Sequence, residues 1–244
     1  MLLAAPWSRL EKLLLAAIAI ATLFCTLITP PFQAPDENQH YMKALLLSEG
    51  RVMTEQRGDL IGATLPRAAV DFHVVDFPTD VPPTLRRSVP AWRDRSGNAD
   101  AQLYAPGALG LYLGEALDLS RRAAFYVGRL VNAATGLLLL IAALQLLPFG
   151  RNALLATALL PTFAYQTGSL SPDAVINGLG FLGLALALRI GFMGASPARA
   201  AGLFIIAPLL ALAKGVYLPI MAAGLRWPSS CAIPWLMSAS SSPA

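Results

Sequence analysis

Residues 13–30 read LLLAAIAIATLFCTLITP, an apolar run without a charged side chain. A helix needs about 20 mostly apolar residues, within a range of roughly 17–25, to cross the hydrocarbon core of a bilayer. Because lipid offers no partner to backbone amides, such a run must be helical. It ends in Thr29-Pro30-Pro31, unlike the small-residue cleavage site of a signal peptide. We therefore predict an uncleaved first helix, with Arg9 and Lys12 on the cytoplasmic side.

Further apolar runs follow, and the composition agrees with them. The 244 residues are 56% hydrophobic and 13% charged, whereas soluble domains carry about 25% charged residues. The sequence predicts an all-α integral membrane protein with about five transmembrane helices and a long extracytoplasmic first loop, residues 31–103. The polytopic membrane domain is predicted to span residues 1–225. The later apolar runs are 126–147, 153–169, 174–193 and 202–225.

The number of crossings depends on residues 104–119, which are apolar but short and contain Glu115 and Asp118. If this stretch crosses, every later loop changes sides. If it is a surface or re-entrant helix, the positive-inside rule is better satisfied for Arg151, Arg189 and Arg199, although not for Arg121 and Arg122. We favour the second arrangement. Its later crossings are Phe125–Leu147, Ala153–Thr167, Ala174–Phe192 and a last one from Gly202 outward.

The first external loop opens with a predicted helix. Pro35-Asp36-Glu37 places proline and acidic residues where a helix begins. Met42, Leu45 and Leu46 then share one face, which predicts an amphipathic helix lying along the bilayer surface. Residues 73–77 suit a short strand.

The last stretch, residues 226–244, is rich in Ser, Pro and Ala and shows no period. We predict an irregular, disordered tail, a pattern expected of a truncated or frame-shifted chain. Cys25 lies in the first apolar run and Cys231 in the tail, so neither a disulfide nor a metal site is expected from them.

Asp36, Glu37 and His40 form the first candidate site. Asp36 and His40 lie one helical turn apart, with Glu37 beside them. Two carboxylates and an imidazole just outside the membrane are able to bind a divalent cation or supply a general base. The alternative is that the acids only complement the helix N-terminus and that His40 is solvated.

Asp173 and Lys214 are the other candidates. Ser171-Pro172-Asp173 is an ordinary helix start, but it puts an aspartate on the same predicted side as Asp36. Lys214 lies inside an apolar run, where an ionisable residue is costly and suggests a functional site, such as contact with a lipid phosphate. The alternative for Lys214 is that it snorkels to the interface.

Other kinds of site are missing from the sequence. It contains no P-loop, no G-x-S-x-G, no H-E-x-x-H and no cysteine pairs at zinc spacing. No basic stripe with interleaved aromatic residues occurs, so no nucleic-acid partner is expected. Glycines scattered through the predicted helices suit close helix packing.

Several motifs together resemble a bacterial multi-pass membrane family, the domain of unknown function 2142 family, which is similar to the GT-C glycosyltransferases. The resemblance covers about residues 13–224. The motifs are Pro35-Asp36-Glu37-x-x-His40, Tyr104-x-Pro106, Arg129-Leu-Val-Asn132, Leu160-Pro161, Ser171-Pro172-Asp173 and Ala213-Lys214-x-x-Tyr217.

The resemblance implies an enzyme of the cytoplasmic membrane that takes a sugar from a polyprenyl-phosphate donor at the extracytoplasmic face. Asp36 or Glu37 would be the catalytic base. Asp173 would assist, and Asp36 and Asp173 would be the ligands of a divalent cation. His40, Asp173, Lys214 and Tyr217 would bind substrate, with Lys214 at the donor phosphate. Members of such families usually continue with further helices.

The competing hypothesis is a non-catalytic multi-pass membrane protein: a transport component, a partner subunit or an inactive relic. Transporters tend to carry acidic residues in mid-membrane and inverted repeats. The clearest apolar runs contain no acidic residue, and no internal repeat is visible. These observations count against a transport component and leave the inactive relic open.

Overall fold

A computed structural model describes residues 6–52, 55–57, 60–62, 101–213, 218–219 and 222. Several predictions lie outside these residues. They are the predicted strand at 73–77, most of the external loop, Lys214, Tyr217, and the tail 226–244.

The described residues are almost entirely helical, as predicted. A 3₁₀ turn at Ala101–Tyr104 precedes α3, and a small antiparallel hairpin departs from the all-α expectation. The helices are α1 (Arg9–Ile28), α2 (Glu37–Ser48), α3 (Ala105–Ala116), α4 (Arg121–Leu146), α5 (Arg151–Ala158), α6 (Pro161–Thr167), α7 (Asp173–Met193) and α8 (Pro197–Ala213). The hairpin strands are β1 (Glu55–Arg57) and β2 (Leu60–Gly62).

Three helices in the described part of the chain are long and apolar enough to cross a membrane: α1, α4 and α7. They contain 20, 26 and 21 residues, and α8 is a shorter apolar helix of 17 residues. Helix α1 begins earlier than predicted because Ser8 and Glu11 form a capping box. The Glu11 backbone N–H donates to Ser8 Oγ (3.1 Å), and the Ser8 N–H donates to Glu11 Oε2 (2.7 Å).

The predicted crossing at 153–167 is not one helix but two, α5 and α6. Leu160 is extended, with ψ 135°, because Pro161 excludes a helical conformation from the residue before it. Pro161 then occupies the first turn of α6, where its missing N–H costs no helical hydrogen bond. A single proline therefore divides this apolar run.

The broken pair α5–α6 nevertheless runs along α1 from one end towards the other. Near the start of α1, Arg151 Nη1 lies 3.9 Å from Glu11 Oε1. Beyond the end of α1, the Tyr165 hydroxyl donates to the Gln33 carbonyl at 2.9 Å. Residues 151–167 thus cover nearly the same depth of the bundle as α1.

The bundle has two chemically different ends. At one, the arginine end, Arg151 Nε donates to the Leu144 carbonyl (3.0 Å) and Arg189 Nη1 donates to the Leu146 carbonyl (3.0 Å). These carbonyls close α4, where the helix dipole favours cations. At the other, the acidic end, lie the beginnings of α2 and α7, with Asp36, Glu37 and Asp173.

Helix α3 packs against the first half of α4. A Cβ added at Gly110 would lie 2.6 Å from the Gly128 Cα, and one added at Gly114 would lie 2.6 Å from the Ala124 Cα. Glycines here let the two backbones approach closely, as the sequence predicts. Residues 105–116 therefore lie beside the first two turns of α4.

Helix α2 has the predicted apolar face, formed by Met42, Leu45 and Leu46, all buried. The prediction that this face rests on the bilayer needs correction, because other parts of the protein cover it. The face belongs to a core cluster that also contains Tyr104, Leu111, Phe125 and Leu170. Helix α2 is therefore folded onto α3, α4 and the loop before α7.

A labelling experiment tests whether the two ends lie on opposite sides of the membrane. In a background with serine at Cys25 and Cys231, we expect Asp173→Cys to react with a membrane-impermeant thiol reagent in intact spheroplasts. Ala195→Cys, at an exposed position of the arginine end, should react only after permeabilisation. The opposite pattern would show that the predicted topology is inverted.

Candidate functional site at the acidic end

Glu37 is the most enclosed acidic residue of the site. Its side chain has no exposed surface. Oε2 accepts a hydrogen bond from the Phe32 N–H (3.0 Å), and Oε1 accepts one from the Leu170 N–H (2.8 Å). Two further bonds come from Arg129. A single carboxylate thus joins α2, the segment that follows α1, and the loop that precedes α7.

Arg129 lies in α4 and is also completely buried. Its Nε donates to Glu37 Oε1 at 2.8 Å, and its Nη2 donates to Glu37 Oε2 at 2.6 Å. This is the two-pronged geometry in which arginine pairs most strongly with a carboxylate. The Arg129 guanidinium also lies over the Phe125 ring, 4.8 Å from its centre.

The remaining Arg129 donors satisfy the end of α1. Nη1 donates to the carbonyls of Thr26 (3.2 Å) and Thr29, and Nη2 donates to the carbonyl of Pro30 (3.1 Å). All five guanidinium hydrogens therefore have acceptors. Three of those acceptors are carbonyls of residues 26–30, in the last turn of α1 and the chain that follows it.

In this network the Glu37 carboxylate stabilises the fold. A carboxylate has about four lone-pair sites, and Glu37 accepts four hydrogen bonds. With no exposed surface, it has no free lone pair to offer a substrate. Of the two neighbouring acidic residues proposed as the base, only Asp36 is exposed.

Asn132, one turn after Arg129 on α4, holds the start of α7. Its Nδ2 donates to the carbonyls of Ser169 (2.9 Å) and Ser171 (2.7 Å). The Ser171 hydroxyl in turn accepts from the Asp173 N–H at 3.1 Å. The predicted Ser-Pro-Asp helix start is present, and Asn132 fixes it to α4.

Asp36 is exposed and has an uncommon backbone conformation. Its φ is 54°, in the left-handed region, and its side chain makes no capping hydrogen bond to α2. Non-glycine residues in this region cost of order 1–3 kcal/mol and are concentrated at functional sites. Aspartate is among the residues that tolerate it best. Asp36 is therefore an exposed acidic residue in a strained backbone conformation.

His40 follows one turn later and lies between charged groups of two elements. Its Nδ1 is 2.9 Å from the Tyr104 hydroxyl, and Lys43 Nζ lies 5.4 Å from the centre of the Tyr104 ring. Burial lowers the pKa of His40. The Asp173 and Asp36 carboxylates act in the opposite direction, while Lys43 lowers this pKa further. Asp36 and Asp173 thus both lie within electrostatic reach of one imidazole that is neutral at neutral pH.

The predicted cation site receives no third protein ligand in the part of the chain that the structure describes. No group of three or more His, Cys, Asp or Glu side chains is arranged there to hold a metal ion. Asp36 and Asp173 would have to share a cation with substrate oxygens. Mg²⁺ is often held in this way, by one or two carboxylates together with phosphates.

Sequence reasoning did not assign Arg129 and Asn132 to the site, although both lie in one of the motifs that suggested the family. The available signal was Arg129 itself, a charged residue inside an apolar run. Such residues usually face the bundle interior and pair with one another or with backbone carbonyls. Arg129 does both.

The apolar helices and the enclosed ion pair define a multi-pass helical membrane protein. More narrowly, the chain belongs to the family described as Predicted membrane protein (DUF2142), whose model matches residues 19–227. No curated protein and no solved structure matches the chain significantly.

Glu37→Gln tests the buried pair. The substitution keeps the shape but leaves the Arg129 charge uncompensated, so we expect a loss of about 3–5 kcal/mol in unfolding free energy. The measurement is unfolding in detergent micelles, followed by circular dichroism. Glu115→Gln is the matched control, because Glu115 pairs with Arg121 at 3.5 Å with half its side chain exposed. It should cost about 0–1 kcal/mol. Equal losses in both variants would contradict the assignment.

The titration of His40 tests the arrangement of the acidic residues. Asp173→Asn removes a carboxylate that raises the pKa of His40, so this pKa should fall further below its ordinary value. His40 is one of two histidines, and His73→Gln leaves it as the only imidazole signal for NMR. Asp118→Asn should leave the titration unchanged. An unchanged or raised pKa in Asp173→Asn would place Asp173 away from His40.

The same lowered pKa predicts how His40 affects stability. Between the lowered pKa and the ordinary value of about 6.5, the unfolded chain binds more protons than the folded one. The contribution of His40 to stability is therefore complete above that window and declines as the pH falls through it. His40→Gln should flatten this part of the curve of unfolding free energy against pH.

Proposed function

We propose that this protein is a GT-C-like membrane glycosyltransferase that uses a polyprenyl-phosphate sugar at the extracytoplasmic face of a bacterial cytoplasmic membrane. The observation that supports the proposal is that Asp36 and Asp173 stand at the starts of α2 and α7, two segments that the Glu37–Leu170 hydrogen bond joins at one end of the bundle. Both carboxylates also raise the pKa of His40. A donor whose phosphate lies at the lipid surface and whose chain lies in the bilayer would reach such a site laterally from the membrane.

The proposed reaction gives each acidic residue a separate task. Asp36, exposed and strained, takes the proton from the acceptor hydroxyl. The acceptor oxygen forms a bond to the anomeric carbon of the donor sugar. The bond from that carbon to the donor phosphate breaks, and its electron pair leaves with the phosphate. Asp173 orients the acceptor or shares a divalent cation with the donor phosphate.

Other residues would also contact the substrates. His40, whose Nδ1 lies 2.9 Å from the Tyr104 hydroxyl, would hydrogen-bond a sugar or acceptor hydroxyl. Lys214 is the proposed partner of the departing phosphate, and Tyr217 lies in the same sequence motif. A cation near the leaving group would stabilise the charge that develops there.

The location of the acidic residues favours this proposal over a transport component. Asp36 and Asp173 lie at the beginnings of α2 and α7, at one end of the bundle. Transporters that couple to ions usually bind them near the middle of the membrane. The non-catalytic alternative is the conclusion to be drawn if the experiment below gives no change.

Asp36→Asn should abolish sugar transfer and leave membrane insertion intact, because it removes the base and keeps the side-chain shape. The measurement compares lipid-linked sugars and surface glycans by mass spectrometry at equal expression. One polyprenyl-phosphate sugar should accumulate, and one glycan linkage should disappear.

Asp118→Asn is the control for this experiment. Asp118 is also exposed and also has a left-handed backbone, with φ 53°, but it lies after α3. Its variant should retain the parental glycan profile. Normal transfer by Asp36→Asn would refute the proposal.

A further inference from the structure

Two external segments far apart in the sequence carry Asp36 and Asp173, and Glu37 touches both. Its carboxylate accepts from the Phe32 N–H on one side and from the Leu170 N–H, 133 positions away, on the other. Asp36 directly precedes Glu37, and Asp173 follows Leu170 by three positions. The buried Glu37 side chain therefore connects the two segments that carry Asp36 and Asp173.

Both segments are attached to helix α4 by hydrogen bonds. Arg129 and Asn132 are three positions apart and so lie on the same face of the helix. Arg129 holds the Glu37 carboxylate by two hydrogen bonds, and Asn132 holds the carbonyls of Ser169 and Ser171. One face of α4 therefore holds the first segment through Arg129 and the second segment through Asn132.

Helix α1 is tied to the same face. Three of the five Arg129 hydrogens bind carbonyls of residues 26–30, which lead into the segment with Asp36. Because both ends of that short segment are held by Arg129 and its Glu37 partner, the chain between them has little freedom. The left-handed Asp36 lies within it. Strained conformations persist where the surroundings over-determine them.

We propose that Glu37, Arg129 and Asn132 are positioning residues that set the separation of Asp36 from Asp173. They act through the backbone and contact neither acceptor nor donor. This inference rests on the proposed function only for the claim that the two carboxylates act together.

Cross-linking tests the proposal without knowledge of the substrate. With serine at Cys25 and Cys231, cysteines replace Asp173 and Gln39, an exposed residue in the first turn of α2. A short bifunctional maleimide should link them rapidly in the parent background. Asn132→Leu keeps the branching and the number of side-chain heavy atoms and removes both N–H donors. It should slow the second coupling step about tenfold, the effect that loss of two buried hydrogen bonds has on a local equilibrium.

Asn177→Leu is the matched control. Asn177 lies one turn after Asp173, and its amide donates to Gln166 Oε1 at 3.3 Å. Its variant should link at the parental rate. Glu37→Asp is a second, milder variant, which keeps the charge opposite Arg129 but withdraws the carboxylate from the Leu170 N–H. It should also slow the link, while the melting temperature stays within a few degrees of the parent.

Parental linking rates in both Asn132→Leu and Glu37→Asp would overturn the proposal. Equally slow cross-linking in Asn177→Leu would overturn it as well. The slowing would then reflect a general loss of packing around α7 and not the loss of the Asn132 hydrogen bonds. The proposed function is tested by a different measurement, the glycan profile of Asp36→Asn. An unchanged glycan profile in Asp36→Asn, together with slowed linking in Asn132→Leu, would refute the transferase and leave the positioning network in place.

Discussion

The structure depends on one buried ion pair, Glu37 with Arg129. Removing two charges from water is costly, and such a pair is stable only when the remaining hydrogen-bonding groups are also satisfied. Here every guanidinium hydrogen has an acceptor, and the carboxylate accepts four hydrogen bonds. The pair also closes the end of α1. Because its partners belong to α1, α2, α4 and the loop before α7, the loss of either charge would disturb all four.

The opposite end of the bundle uses arginine differently. Arg151 and Arg189 donate to carbonyls that finish α4, at the edge of the apolar region. These side chains neutralise a helix terminus and leave no acidic cluster nearby in the described residues, apart from Glu11 beside Arg151. The acidic end instead combines the fully paired Glu37 carboxylate with the exposed Asp36 and the half-buried Asp173. The two ends of the bundle therefore differ in charge, with arginines at one and carboxylates at the other.

Much of the fold could be predicted from residue patterns alone. The long apolar runs gave α1, α4 and α7, and the acidic and proline residues at 35–37 and 171–173 gave the starts of α2 and α7. The division at Pro161 was missed because the hydropathy of 153–167 is continuous across it. The partner of the apolar face of α2 was also missed. An amphipathic pattern specifies that a face is buried, but not whether lipid or protein covers it.

The sequence by itself determined that this is a helical membrane protein, since apolar runs of this length have no other stable structure in lipid. It also determined that Asp36, Glu37, His40 and Asp173 stand at helix starts. Only the tertiary structure decided that Glu37 is enclosed while Asp36 is exposed, although the two are adjacent. The reason is that this difference depends on Arg129, 92 positions away, and on the Leu170 N–H. Such distant contacts leave no periodic trace in the sequence.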